Sequence, residues 1–73
     1  MDHHFDNETQ ALRAIEAWRD LPPSEERRNL QLAIQSVELG QMYYEQKNNP
    51  SGVLRLDRCL KLLSARLAEL KEE

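Results

Sequence analysis

The chain has 73 residues and a formal net charge of −3, with 13 acidic side chains interleaved among 10 basic ones. That length holds one domain, and an acidic balance argues against a DNA-binding surface, which is normally basic. A single cysteine, Cys59, excludes an intrachain disulfide and fits a reducing compartment, so a cytoplasmic location is expected.

No apolar run approaches the roughly 20 residues of a membrane-spanning helix. The start, MDHHFDNETQ, is polar and acidic, unlike a signal or transit peptide. His3 and His4 are adjacent, which is not a helical metal-ligand spacing, and residues 1–6 read as a flexible, solvated tail. A first helix is expected over about 7–20. Asp6 or Asn7 can cap it, and Asn7 with Gln10 has capping-box spacing. Ala11, Ile15 and Trp18 recur at helical spacing, and Leu21-Pro22-Pro23 ends the helix because residues before proline avoid the helical region.

A second helix is expected over 24–48, with Ser24 as its N-cap and Glu25 and Glu26 in the first turn, where the helix dipole favours negative charge. Leu30, Ile34, Val37, Gln41 and Tyr44 form a stripe in steps of four and three with one polar member. Leu32, Leu39, Met42 and Tyr43 fall outside it, so the helix is apolar on more than one face. Gly40, costly by about 1 kcal/mol inside a helix, reads as a point of close approach, either within the chain or between subunits. Asn48-Asn49-Pro50-Ser51-Gly52 is a turn. A third helix follows over 52–71 with Ser51 as its cap, and its seam is Val53, Leu56, Leu60, Leu63, Leu67 and Leu70, with Leu54 and Leu62 beside it.

The expected fold is all-α: a short N-terminal helix plus a long antiparallel helical hairpin. The expected core is Ile15, Trp18, Leu30, Ile34, Val37, Tyr44, Leu56, Leu60, Leu63 and Leu67. Apolar side chains exceed what one hairpin seam can bury, so a homo-oligomer built as a helical bundle is expected, with Trp18, Leu39, Gly40, Met42, Leu54 and Leu62 at its interface.

Enzymatic chemistry is not expected. Both histidines lie in the tail, so no serine or cysteine has a well-placed base. There is no glycine-rich phosphate loop, no zinc spacing, and no cofactor or metal is implied. Two features stand out. Arg27 and Arg28 could hold a phosphate in forked geometry; the alternative is ordinary solvated charge paired with nearby acids. Tyr43 and Tyr44 are adjacent and so point about 100° apart on a helix. Tyr44 takes the inward position, which leaves Tyr43 for stacking or an interface.

The run PPSEERRNLQLAIQSVELGQMYY, residues 22–44, resembles the helical hairpin of small phage proteins that sequester cyclic nucleotides, of the anti-CBASS and anti-Thoeris type. The resemblance lies in the Pro-Ser start with acids and an arginine, the apolar run, Val37-Glu38-Leu39, the small Gly40, and Met42 beside an aromatic. It implies a non-catalytic inhibitor of host defence that holds a cyclic nucleotide between subunits, with Arg27 or Arg28 on phosphate and Tyr43 on a base. The competing expectation is a protein–protein adaptor or inhibitor, chaperone-like or regulatory, that binds a host protein partner through an apolar helix face. The hairpin peptides of sporulation phosphatase regulation are disfavoured, since their Ser-x-x-x-Asp signature would need serine where Val53 stands.

Overall fold

Prolines and asparagines punctuate the chain into its elements. The computed structural model describes Phe5 and residues 7–71. Among these it contains α1 (Glu8–Trp18), α2 (Pro23–Gln46) and α3 (Pro50–Lys71), and no strand. Asn7 is the N-cap of α1: its backbone is extended and its Oδ1 accepts from the Gln10 N–H at 3.0 Å. Asp6, the other candidate cap, lies outside the described residues, as do His3 and His4. Phe5, assigned by sequence to the solvated tail, buries its ring edge-on to Trp18 with centroids 6.4 Å apart.

Helix α2 begins one residue before the expected start. Pro23 occupies the first helical position, where its fixed φ suits the helix and its missing N–H costs nothing. Pro22 is therefore the cap residue and offers no side-chain acceptor; its carbonyl instead receives the N–H groups of Glu25 and Glu26, both at 3.0 Å. Ser24, expected as the cap, sits inside the first turn.

The connection from α2 to α3 is a double cap. Asn48 adopts a left-handed conformation at φ 55°, which asparagine tolerates better than most residues. The Asn49 N–H then donates to the Tyr44 carbonyl at 2.9 Å and the Asn48 N–H to the Glu45 carbonyl at 3.1 Å, the paired bonds of a Schellman ending. Asn49 caps the next helix: its Oδ1 accepts from the Gly52 N–H at 3.1 Å and from the Ser51 hydroxyl at 2.9 Å. Ser51 thus supports the cap rather than forming it, because Pro50 has taken the first helical position.

This short turn lays α3 back along α2 in the opposite direction. Tyr44 meets Gly52, Gln41 Nε2 donates to the Val53 carbonyl at 3.3 Å, Gly40 meets Leu56, and at the far end Glu26 meets Arg66. Helix α1 lies chiefly against α3. The molecule measures 39 × 21 × 16 Å.

The buried seam is rotated from the one the leucines suggest. Fully buried positions on α2 are Glu26, Leu30, Ala33 and Val37, and on α3 Gly52, Leu56, Cys59, Leu63 and Leu70. Ile34, Tyr44, Leu60 and Leu67, expected in the core, flank it half-buried. Ala33, Gly52 and Cys59 alternate with the buried leucines, where a small side chain lets the backbones approach, and Ile34, Tyr44, Leu60 and Leu67 close over the sides. Cys59 is one of those small packing residues. Trp18, expected both in the core and at a subunit interface, is in the core at 5% exposure and so is not available to an interface, and Leu62, expected at the interface, packs half-buried on the same core.

Gly40 and Gly52 test this packing. A methyl on Gly52 would lie 2.7–2.9 Å from ring atoms of Tyr44, and a rigid ring must move bodily to admit it. A methyl on Gly40 would meet only the Leu56 Cδ1, at 2.8 Å, one methyl at the end of a buried side chain rather than a whole ring. Urea unfolding should show Gly52→Ala destabilised by about 1–3 kcal/mol, against its helix-propensity gain of about 1 kcal/mol. Gly40→Ala should stay within about 1 kcal/mol of wild type, since gain and strain offset. Equal effects at the two sites would show that the Tyr44 ring does not rest on Gly52.

Candidate functional site

The Glu25-Glu26-Arg27-Arg28 run divides when it is wound into a helix. Glu26 is carried inward and is 2% exposed. Arg66 reaches it from the end of α3 with both arms of the guanidinium: Nε to Oε2 at 2.7 Å and Nη2 to Oε1 at 3.1 Å. The remaining arm, Nη1, donates to Glu69 at 2.9 Å. These hydrogen bonds, Glu26 first and Glu69 second, raise the Arg66 pKa above its ordinary value and hold it charged. The pair is structural: both side chains are turned into the α2–α3 contact, and each carboxylate oxygen of Glu26 and each guanidinium nitrogen of Arg66 takes part in a hydrogen bond.

The signal for this pair is in the sequence. Glu26 continues the buried α2 line four residues before Leu30, and Arg66 sits between Leu63 and Leu70 on α3. Neither stands out by residue type, because acids and bases are abundant throughout the chain.

Arg27 is half-buried and Arg28 is exposed, and no described carboxylate lies within ion-pair distance of either. Tyr43 is 57% exposed near the other end of α2. Its ring meets Tyr44 edge-on at 5.6 Å, and Lys47 Nζ lies 5.7 Å from its centroid. Tyr44 turns inward over Gly52, with Arg55 Cζ 5.9 Å from its ring.

At 1.5 Å per residue, Arg28 and Tyr43 are about 22 Å apart along α2, so one chain does not bring them to one small ligand. Their angular positions differ by about 60°, whereas those of Arg27 and Tyr43 differ by about 160°. Arg28 is therefore the arginine that shares Tyr43's side.

Between Arg28 and Tyr43 on that side lie Leu32 and Leu39, and Met42 flanks them. All are solvent-exposed, Leu39 by 67%. Two shallow grooves bracket the face. One is lined by Leu21, Glu25, Arg28, Asn29 and Leu32, the other by Ser36, Leu39, Gly40, Tyr43 and Tyr44. A further depression lies at the turn, lined by Glu45, Asn48, Asn49, Pro50, Val53 and Leu54, and accounts for the exposed Leu54. Gly40 makes its close approach to α3 of the same chain.

Among the described residues no group of His, Cys, Asp and Glu is placed to hold a metal ion, and no helix is long and apolar enough to cross a membrane.

Glu26 joins α2 to Arg66 at the end of the α2–α3 pair farthest from the turn. Glu26→Ala should cost about 3 kcal/mol in urea unfolding, because it leaves a charge facing the contact without its main partner. The double variant Glu26→Leu/Arg66→Met should recover most of that loss, as apolar replacements of buried ion pairs commonly do. If Glu26→Ala is neutral, the pair is solvated rather than buried.

No protein family, curated protein or solved structure matches this chain.

Proposed function

We propose that the protein is a small non-catalytic binding protein that acts through the outer face of α2. The observation that carries this reading is the exposure of Leu32, Leu39, Met42 and Tyr43 on a helix whose opposite side is the core. Contiguous apolar groups in water with a polar rim mark an interaction surface on a small soluble domain. The rim here is Glu25 and Arg28 at one end and Lys47 at the other. The face suits another helix laid along it, which is the geometry of a helical adaptor, an inhibitor of a partner protein, or a homo-oligomer built as a helical bundle.

A second reading is sequestration of a cyclic nucleotide by a phage-type inhibitor of host defence. It is favoured by one specific feature: an arginine with no described carboxylate partner and an exposed tyrosine on the same side of one helix. The distance between them means that phosphate and base would be held by different copies. Arg28 takes the phosphate role in this reading, and Arg27 does not.

Leu39→Glu tests the first reading. Its helical content and urea midpoint should match wild type, since a solvent-exposed substitution usually shifts stability by less than about 0.5 kcal/mol, while association through α2 is lost. Unfolding by this substitution would show that the face is part of the core. Calorimetry with cyclic di- and trinucleotides and cyclic ADP-ribose isomers tests the second. Arg28→Ala should weaken binding by about tenfold or more, as loss of a charged hydrogen bond does. Tyr43→Ala should do the same through lost stacking, and Arg27→Ala should not. No heat with any of these ligands removes the nucleotide reading and leaves the protein-binding one.

A further inference from the structure

The outer face of α2 has a symmetry that the single chain does not use. Leu32 and Leu39 lie equally far from the midpoint between Gln35 and Ser36, and so do Arg28 and Tyr43. Glu25 lies about as far from it on one side as Lys47 does on the other. Each member of these pairs is the chemical complement of the other: leucine with leucine, guanidinium with aromatic ring, carboxylate with ammonium. An interface between two identical copies related by a two-fold axis requires this property, because whatever residue i meets must in turn meet residue i.

We propose that the occupant of this face is a second copy of the chain, its α2 crossing antiparallel with the axis between Gln35 and Ser36, so that each Arg28 covers the partner's Tyr43. The proposal deepens the reading of α2's outer face as the binding surface, and rests on it.

In this arrangement Leu32 packs on the partner's Leu39, and the small side chain of Ser36 sits beside the axis where the two backbones come closest. Arg28 lies over the partner's Tyr43, a cation–π contact that the lone chain cannot make. Glu25 reaches the partner's Lys47. Each shallow groove receives side chains from the other end of the partner's helix: the groove of Leu21, Arg28 and Leu32 takes the ring of the partner's Tyr43.

Charge and apolar pairing together select this arrangement over its neighbours. A parallel pair would set Arg28 beside the partner's Arg28 and Lys47 beside the partner's Lys47. An antiparallel pair slipped by one turn one way would set Leu32 on the partner's Tyr43, but Arg28 against the partner's Lys47; slipped the other way, it would set Arg28 on the partner's Leu39 and Leu32 on the partner's Gln35. The parallel pair and the first slip face cation with cation, and the second slip loses the leucine–leucine pairs and the cation–ring pairs. The antiparallel pair centred at Gln35 and Ser36 faces cation with ring and cation with acid, and opposes the two helix dipoles favourably.

The test is a charge-exchange cycle read by sedimentation equilibrium, with circular dichroism confirming the fold of each variant. Within one chain Glu25 and Lys47 are about 33 Å apart along α2, so any coupling between them arises between copies. Wild type should dimerise at micromolar concentration. Glu25→Lys and Lys47→Glu should each weaken the dimer about tenfold, and Glu25→Lys/Lys47→Glu should return to within about threefold of wild type. Leu39→Glu should be monomeric, and Tyr43→Ser, a second variant at an exposed site, should dimerise at least about tenfold more weakly. A monomeric wild type overturns the pairing but leaves the face available to a different partner. A dimer that survives Leu39→Glu overturns both the pairing and the assignment of the face. A dimer lost in Leu39→Glu but not recovered in the double charge variant overturns the antiparallel register.

Discussion

The bidentate contact between Glu26 and Arg66 is the constraint on which the arrangement of the two long helices depends. It lies at the end of the α2–α3 pair farthest from the turn, where chain connectivity exerts least control. A hydrophobic contact there would tolerate sliding by a turn, because leucines recur along α3 every three or four residues. A forked guanidinium on a carboxylate does not, since a slip would leave a charge turned into the protein without its partner. The pair therefore contributes specificity of register more than net stability. Glu69, on the next turn of α3, completes the guanidinium's hydrogen bonding and keeps that charge from seeking water.

At the opposite end register is set by shape. Tyr44 rests on Gly52, and Asn49 holds the first turn of α3 while the Schellman bonds of Asn48 and Asn49 close α2. Between these two ends Ala33, Gly40 and Cys59 stand among the buried Leu30, Val37, Leu56 and Leu63. The helices approach closely there, and Ile34, Leu60 and Leu67 lie on the flanks. Such close packing exhausts the inner face of α2 without using its outer one. The exposed leucines, Met42 and Tyr43 are thus a consequence of how few residues the α2–α3 contact needs.

The proposed function rests on that surplus. A chain of this size gains little from leaving four large apolar side chains in water unless another surface covers them. The two candidate roles, protein binding and nucleotide sequestration, draw on the same face and differ in which part of it does the recognising. For a protein partner the leucines are the anchor and the charges set direction. For a nucleotide the ends of the face, Arg28 and Tyr43, matter most, and two copies must bring them together.

Much of the fold was legible in the sequence because helix punctuation is local chemistry. Asn7 as a cap, the Pro22-Pro23 break, the Asn49-Pro50 turn and the all-α class follow from what those residues do to their own backbone. So does the separation of Tyr43 from Tyr44, which is helical geometry alone. The sequence by itself determined three helices, their approximate limits and an excess of apolar surface. It did not determine which of several apolar lines on α2 and α3 would become the seam, because a stripe of Leu30, Ile34 and Val37 and one of Leu30, Ala33 and Val37 are equally periodic. Only tertiary structure decided between them, through the closeness that Ala33, Gly40, Gly52 and Cys59 allow. Tertiary structure also withdrew Trp18 from the expected interface by burying it in the core, seated Phe5 against it, and turned Glu26 inward to Arg66. None of these is a property of a residue's neighbours in sequence; each exists only once two helices distant along the chain have met.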